Sequence, residues 1–185
     1  MSVNVNKVEL ATGQNIFLID EFFDADILVK IHKLFDTFSK DSPNWLPDPP
    51  NDPIHVRYRY DGPDPVIIEL ETILQSTEFL NKVRELVKRD INFIVLKFWV
   101  DTKMLLDPHL EPPNGNRALA QIYITNTTVP FLGTTIYQND KKLLFQLPYR
   151  DNFGWFFEKS DLVMHGKIFE TPPGFCRCSI QIMFD

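Results

Sequence analysis

The sequence predicts an α+β fold in which helices come first and an antiparallel β barrel or sandwich follows. Two textures carry this expectation. Before Asp90 the apolar residues recur mostly at three- and four-residue steps; after it they fall in short runs separated by turn residues. The 185 residues, 44% of them hydrophobic, suffice for one compact domain and fall short of two. No boundary is expected near Asp90, because the helices need a sheet to cover their apolar faces. The domain expected is 1–185, with 1–90 as mostly helical support and a lid loop and 91–185 as the β-barrel core.

Taken in order, Asn15-Ile16-Phe17-Leu18-Ile19-Asp20 reads as a short strand. Asp24 is placed to cap a helix whose Ile27, Leu28, Ile31, Leu34, Phe35 and Phe38 form one apolar face. From Asp41 to Pro65, Pro43, Pro47, Pro49, Pro50, Pro53, Pro63 and Pro65 forbid regular helix and make a long ordered loop. Within it, His55 to Tyr60 alternates like a strand or lid edge, and long loops in compact domains are often functional. Trp45, Arg57, Tyr58, Arg59 and Tyr60 fit either a lid over substrate or aromatics packed on the barrel rim.

Helical spacing resumes over Val66 to Leu74 and Thr77 to Val87, the second capped by Ser76 or Thr77. The strand-like runs are Asn92 to Val100, Ala118 to Thr125, Leu143 to Leu147, Gly154 to Phe157 and Phe175 to Phe184, with Asn114-Gly115-Asn116 as a turn between them. The alternation of Phe153, Trp155 and Phe157 favours a core-facing strand over a substrate platform.

Composition narrows the function. Sixteen Phe, five Tyr and three Trp supply an aromatic core or pocket, and seven Gly against fourteen Pro point to rigid loops. A net charge of −6 and a pI near 5.2 oppose a broad phosphate-binding surface, which argues against nucleic acid as a partner. No basic segment precedes an apolar run at the amino terminus, and no window approaches the roughly 18 apolar residues of a membrane span. A soluble, cytoplasmic protein is expected. Cys176 and Cys178 alternate on one strand face with no loop to close, so they are expected to be free thiols in a reducing compartment.

The residues that suggest chemistry lie in the second half. His109-Leu110-Glu111 places an imidazole and a carboxylate two positions apart, on one face of an extended segment. His165 ends an apolar run far downstream. Two His and one carboxylate form the facial triad that suits iron(II) and leaves positions open for co-substrate and oxygen. Each piece alone is weak, since a single buried His is more often a hydrogen-bonded core residue. Arg177 follows His165 by twelve positions, with Ser179 on the same face of the last strand. A guanidinium buried there requires an anion, and a dicarboxylate supplies one in bidentate form.

On these residues the chain resembles the iron(II)/2-oxoglutarate dioxygenases, in their prolyl-4-hydroxylase-like branch. Asn15 to Phe38 resembles that branch's opening strand, Asp-Phe-Phe and helix; Phe98 to Glu111 resembles the strand leading into the His-x-Asp pair. Arg117 to Asn126 resembles its Arg…Tyr-Leu-Asn strand, Ser160 to Gly166 the distal-ligand segment, and Arg177-Cys178-Ser179 its Arg-x-Ser pattern.

The resemblance implies a double-stranded β-helix, a jelly-roll, cupin-like barrel with N-terminal helices packed on its major sheet. It implies His109, Glu111 and His165 as iron ligands and catalytic residues, with Arg177, Ser179 and Tyr123 binding 2-oxoglutarate. Glu111 stands where the family usually has Asp, and its retention favours hydroxylation over halogenation. In the expected register Ile124 takes the place of the family's co-substrate Tyr, with Tyr123 on the opposite face unless the register slips by one. The activity implied is oxidation of a peptidyl, for example prolyl, or small-molecule substrate by O2, with 2-oxoglutarate converted to succinate and CO2. Two alternatives stand beside it. One is a catalytically inactive barrel that binds or supports. The other is a cupin-type metalloprotein, for which His32 and His55, in helix and loop, leave little room for a three-His site.

Overall fold

The computed structural model describes residues 4–10, 13–48, 55–110, 118–138, 140–159, 163–167 and 170–185. In chain order it contains β1 (Asn4–Glu9), β2 (Asn15–Asp20), α1 (Ala25–Asp36), β3 (Trp45–Pro47), β4 (His55–Tyr60), α2 (Pro65–Leu74) and α3 (Thr77–Val87). These are followed by β5 (Phe93–Met104), β6 (Leu106–His109), β7 (Ala118–Ile124), β8 (Thr135–Gln138), β9 (Leu143–Gln146), β10 (Phe153–Glu158), β11 (Val163–Lys167) and β12 (Arg177–Phe184).

α2 and α3 form where capping and apolar spacing coincide, whereas α1 rests on its apolar face, its N-cap Asp24 making no side-chain capping hydrogen bond. Asp64 accepts a hydrogen bond from the Val66 amide at 2.9 Å with Pro65 in the first turn, and Ser76 accepts from the Phe79 amide. Lys88 closes α3 in the left-handed region, at φ 59°.

The strands make an eight-stranded sheet in the order β1-β2-β10-β7-β12-β5-β4-β3 and a four-stranded sheet in the order β6-β11-β8-β9. All pairings in both are antiparallel. The period of two sends each strand's residues to opposite faces of the large sheet. On β12, Ile180, Ile182 and Phe184 join Phe98, Val100, Ile122 and Phe156 beneath the helices, where Ile31, Leu34, Leu70 and Leu74 bury the amphipathic faces. Leu119, Tyr123, Trp155 and Phe157 face the other way and meet Ile136, Leu132 and Leu147 in a second core. Each such side chain contributes about 1.5–3 kcal/mol by leaving water. The architecture is mainly antiparallel and jelly-roll-like and, among the described residues, supported by three helices.

The large sheet recruits more of the chain than its apolar texture foretells. The first ninety residues supply β1 to β4 as well as the helices. The proline-rich stretch is only partly loop, because β3 and β4 pair with each other and β4 extends the sheet along β5. Trp45 and Tyr58 from this stretch pack against Phe35 and Phe38 on the helix side and Tyr60 packs against Trp45, so the aromatics serve the core. Residues 49–54 and the Asn114-Gly115-Asn116 turn lie outside the described residues. Among the described residues no helix is long and apolar enough to cross a membrane. Cys176 and Cys178 are free thiols, and burial pushes both up from the ordinary thiol pKa.

Candidate active site

The small sheet brings two imidazoles together. In the pairing of β6 with β11, His109 stands opposite His165, and their ring centroids are 4.5 Å apart. A bulge then lets four residues of β6, Leu106 to His109, run against three of β11, His165 to Lys167, so that Leu106 and His109 line the same cavity. Gly166 permits the close approach: a Cβ there would stand 2.6 Å from the Leu106 carbonyl oxygen. His165 is buried against Trp155 and Phe157, at ring distances of 5.5 and 5.9 Å. His109 Nδ1 lies 2.9 Å from the Asp107 carbonyl oxygen. A carbonyl oxygen only accepts, so Nδ1 carries the proton in that bond and the neutral ring keeps its lone pair on Nε2.

The opposite wall belongs to the large sheet and is strongly basic. A cavity of about 70 Å3 separates the walls, with His109, His165 and Lys167 on one side and Arg57, Gln121 and Arg177 on the other. Arg177 is 1% exposed. It donates from Nε to the Leu132 carbonyl at 3.0 Å and from Nη1 to Asp101 Oδ2 at 2.8 Å, over the ring of Tyr123. Its neighbours form a connected chain. Tyr123 donates to Thr134 Oγ1 at 2.7 Å, Thr134 to Gln121 Oε1 at 3.0 Å, and Gln121 to Ser179 Oγ at 3.1 Å.

Asp101 occupies the centre of the basic wall. Both its oxygens accept from Arg57, from Nε at 2.6 Å and Nη2 at 3.3 Å, and His55 Nε2 lies 3.7 Å away. Burial pushes its carboxyl up, but Arg57, His55 and Arg177 together outweigh this and hold it well below the usual carboxylate range. Lys167 donates to the Met104 carbonyl at 3.2 Å. Burial, followed by the nearby Arg177 charge, pushes its ammonium down to about 8.

Of the residues singled out in the sequence, His109 and His165 thus meet on one wall and Arg177, Ser179 and Tyr123 share the other. Tyr123 corrects the expected register: Ser179 pairs with Tyr123, which turns Tyr123 inward beside Arg177 and sends Ile124 to the helix-side core. Glu111 lies outside the described residues, and among those described no three His, Cys, Asp or Glu side chains group as a metal site. Sequence reasoning missed Asp101, Lys167, Gln121 and Thr134. A signal existed for two of them. Lys167 is two positions past His165, hence on its face of the strand, and Asp101 interrupts an apolar run at an inward position.

Neither a protein-family model nor a curated protein sequence matches the chain significantly. Solved structures do. A prolyl-4-hydroxylase from Pseudomonas putida superposes with a TM-score of 0.66 at 13% identity, covering 94% of this chain and 93% of that one. The fold is that of the 2-oxoglutarate/iron(II) oxygenases. Two further structures with the oxygenase fold extend the comparison. HygX from Streptomyces hygroscopicus, with nickel, 2-oxoglutarate and hygromycin B bound, gives a TM-score of 0.56 at 13% identity, covering 92% of this chain and 82% of that one. The viral collagen prolyl hydroxylase vCPH from Paramecium Bursaria Chlorella virus-1, a 2-oxoglutarate complex, gives 0.55 at 12% identity, covering 95% and 97%.

Proposed function

We propose that the chain is a 2-oxoglutarate- and iron(II)-dependent dioxygenase built on a double-stranded β-helix. Its reaction is hydroxylation of a peptidyl, for example prolyl, or small-molecule substrate, with release of succinate and CO2. The observation that carries this reading is one cavity with two facing imidazoles on one wall and a basic wall opposite. Its charge suits the co-substrate: among the described residues, Arg57, Lys167 and Arg177 against the carboxylate of Asp101 leave a surplus of two positive charges for a dicarboxylate.

The residues present fit a divalent metal. The neutral tautomer that Asp107 imposes on His109 is the ligating form, and a backbone carbonyl on the second ring nitrogen is the usual support of a metal-bound His. His109 and His165 would hold the ion, with Glu111 as the third ligand; two neutral imidazoles and one carboxylate suit iron(II). Once bound, the metal supplies the oxidative chemistry with O2 and 2-oxoglutarate. Arg177 receives the distal carboxylate as a charge-assisted partner, and the Tyr123–Thr134–Gln121–Ser179 chain fixes the wall around it. Trp155 and Phe157 exclude water from the His165 side.

The inactive barrel is favoured by one observation, the Arg177–Asp101 ion pair, which satisfies the guanidinium without a ligand. Anaerobic addition of 2-oxoglutarate to protein loaded with iron(II) separates the two. A weak visible charge-transfer band supports the oxygenase, and its absence in protein shown to hold iron supports the inactive barrel.

A further inference from the structure

Arg57, Asp101 and Arg177 stand in one row across three adjacent strands. Arg57 on β4 pairs with Asp101 on β5, and Asp101 pairs with Arg177 on β12, so that an acid is inserted between two bases on the inner face of the sheet. A bulge in the β4–β5 ladder at this point lets three residues of β5 run against two of β4, which turns Asp101 and Met104 alike toward Arg177. The row is buried: Asp101 is 0% and Arg177 1% exposed. Arg57 is further held by Trp99, with its guanidinium carbon 4.6 Å from the ring centroid.

The division of Asp101 between its partners is unequal. Arg57 engages both oxygens, through Nε and Nη2, whereas Arg177 engages Oδ2 alone, through Nη1. Arg177 also has anchors independent of Asp101, in the Leu132 carbonyl and the rings of Tyr123 and Tyr149 at 5.0 and 5.9 Å. The guanidinium therefore keeps its place without the acid.

Resting on the oxygenase reading, we propose that Asp101 is an internal counter-ion that competes with the co-substrate carboxylate for Arg177, and that Arg57 sets the strength of that competition by retaining Asp101. With the cavity free of co-substrate, Asp101 neutralises Arg177. An arriving carboxylate takes over Nη1, and Asp101 remains compensated because the two-oxygen contact with Arg57 persists. Asp101 and Arg57 are thus affinity-determining residues of opposite sign, and the edge strand β4 helps to set the co-substrate concentration at which the site fills.

The test measures dissociation constants for 2-oxoglutarate, and for glutarate, which lacks the chelating keto group, on manganese(II)-loaded protein by calorimetry, with melting temperatures alongside. Asp101→Asn is expected to bind both compounds about tenfold more tightly or better, since a like charge a few ångströms from the bound carboxylate is removed from a poorly screened site. It should melt lower than wild type when free and be stabilised more by either ligand. Arg57→Gln leaves Asp101 to Arg177 and the more distant His55, and is expected to weaken both compounds about tenfold. The double variant should return toward wild type. A folded Asp101→Asn with equal or weaker binding would overturn the proposal and leave Asp101 as a support for Arg177. So would unchanged affinity in Arg57→Gln, which decides the matter if Asp101→Asn does not fold. Failure of wild type and every folded variant to bind either compound refutes the oxygenase reading itself.

Discussion

Replacing Arg177 with Leu separates its structural role from its binding role, and both magnitudes follow from its contacts. The side chain loses its bonds to Leu132 and Asp101 and its place over Tyr123. Breaking a buried ion pair costs about 3–5 kcal/mol, chiefly through the charge left behind. Here Asp101 keeps Arg57, at 2.6 Å, so the lower end applies. A chain of 185 residues unfolds with an entropy of about 0.4 kcal/mol/K, so about 3 kcal/mol lowers the melting temperature by about 8 °C. Binding of 2-oxoglutarate loses a charge-assisted contact of about 1.5–3 kcal/mol, which raises the apparent requirement about 10- to 100-fold. Iron affinity should barely move. The assay is succinate production without primary substrate, measured against 2-oxoglutarate concentration, with melting curves in parallel. Identical saturation curves in an active wild type and a destabilised Arg177→Leu would remove Arg177 from the site and leave it a structural ion pair.

Other perturbations test other parts of the molecule. His109→Ala and His165→Ala should each abolish iron binding with the fold largely retained, and Glu111→Ala should do so while Glu111→Asp retains part of the activity; metal titration decides, and unchanged affinity in both His variants would sink the centre. Gly166→Ala should weaken metal binding by pushing β6 from β11, because its Cβ would stand 2.6 Å from the Leu106 carbonyl oxygen; circular dichroism would show the fold intact. Phe156→Ala, in the helix-side core against Phe17 and Phe184, should cost about 3–5 kcal/mol, read by urea unfolding, and leave the 2-oxoglutarate requirement unaltered. Because the Asp101 pKa is depressed in the fold, the stability it contributes is complete above its unfolded value of about 3.9 and is lost as pH falls further toward the folded one. Wild type should therefore lose more stability than Asp101→Asn between about pH 5 and 2; parallel curves would refute this.

Helices and long strands were legible because their signals are local. Asn15–Asp20 and Thr77–Val87 have the bounds that periodicity and Ser76 indicate. The six-residue β1 was not marked out, nor were β3, β6, β8 and β11, three to five residues each, since runs this brief carry too little alternation. Their existence depends on partners: β6 is a strand because β11 lies beside it. Tyr123 shows the same limit. Its face depends on which residue of β12 it meets, and a slip of one position reverses every side chain on the strand.

The sequence by itself determined the helices of the first half and the strand-rich second half, the apolar faces that bury them, and the candidates His109, Glu111, His165, Arg177 and Ser179, but not β1 and β3, which lie ahead of and among the helices. Those are properties of residue type and spacing along one chain. Only the tertiary structure decided that the Arg177 charge is already answered by Asp101, that Arg57 from an edge strand shares that acid, and that Lys167 joins the same cavity. Arg57 and Arg177 are 120 positions apart in the numbering and meet only through the register of β4 on β5 and β5 on β12. Electrostatic partnership falls off with distance in space, and strand pairing, which no local pattern encodes, sets that distance.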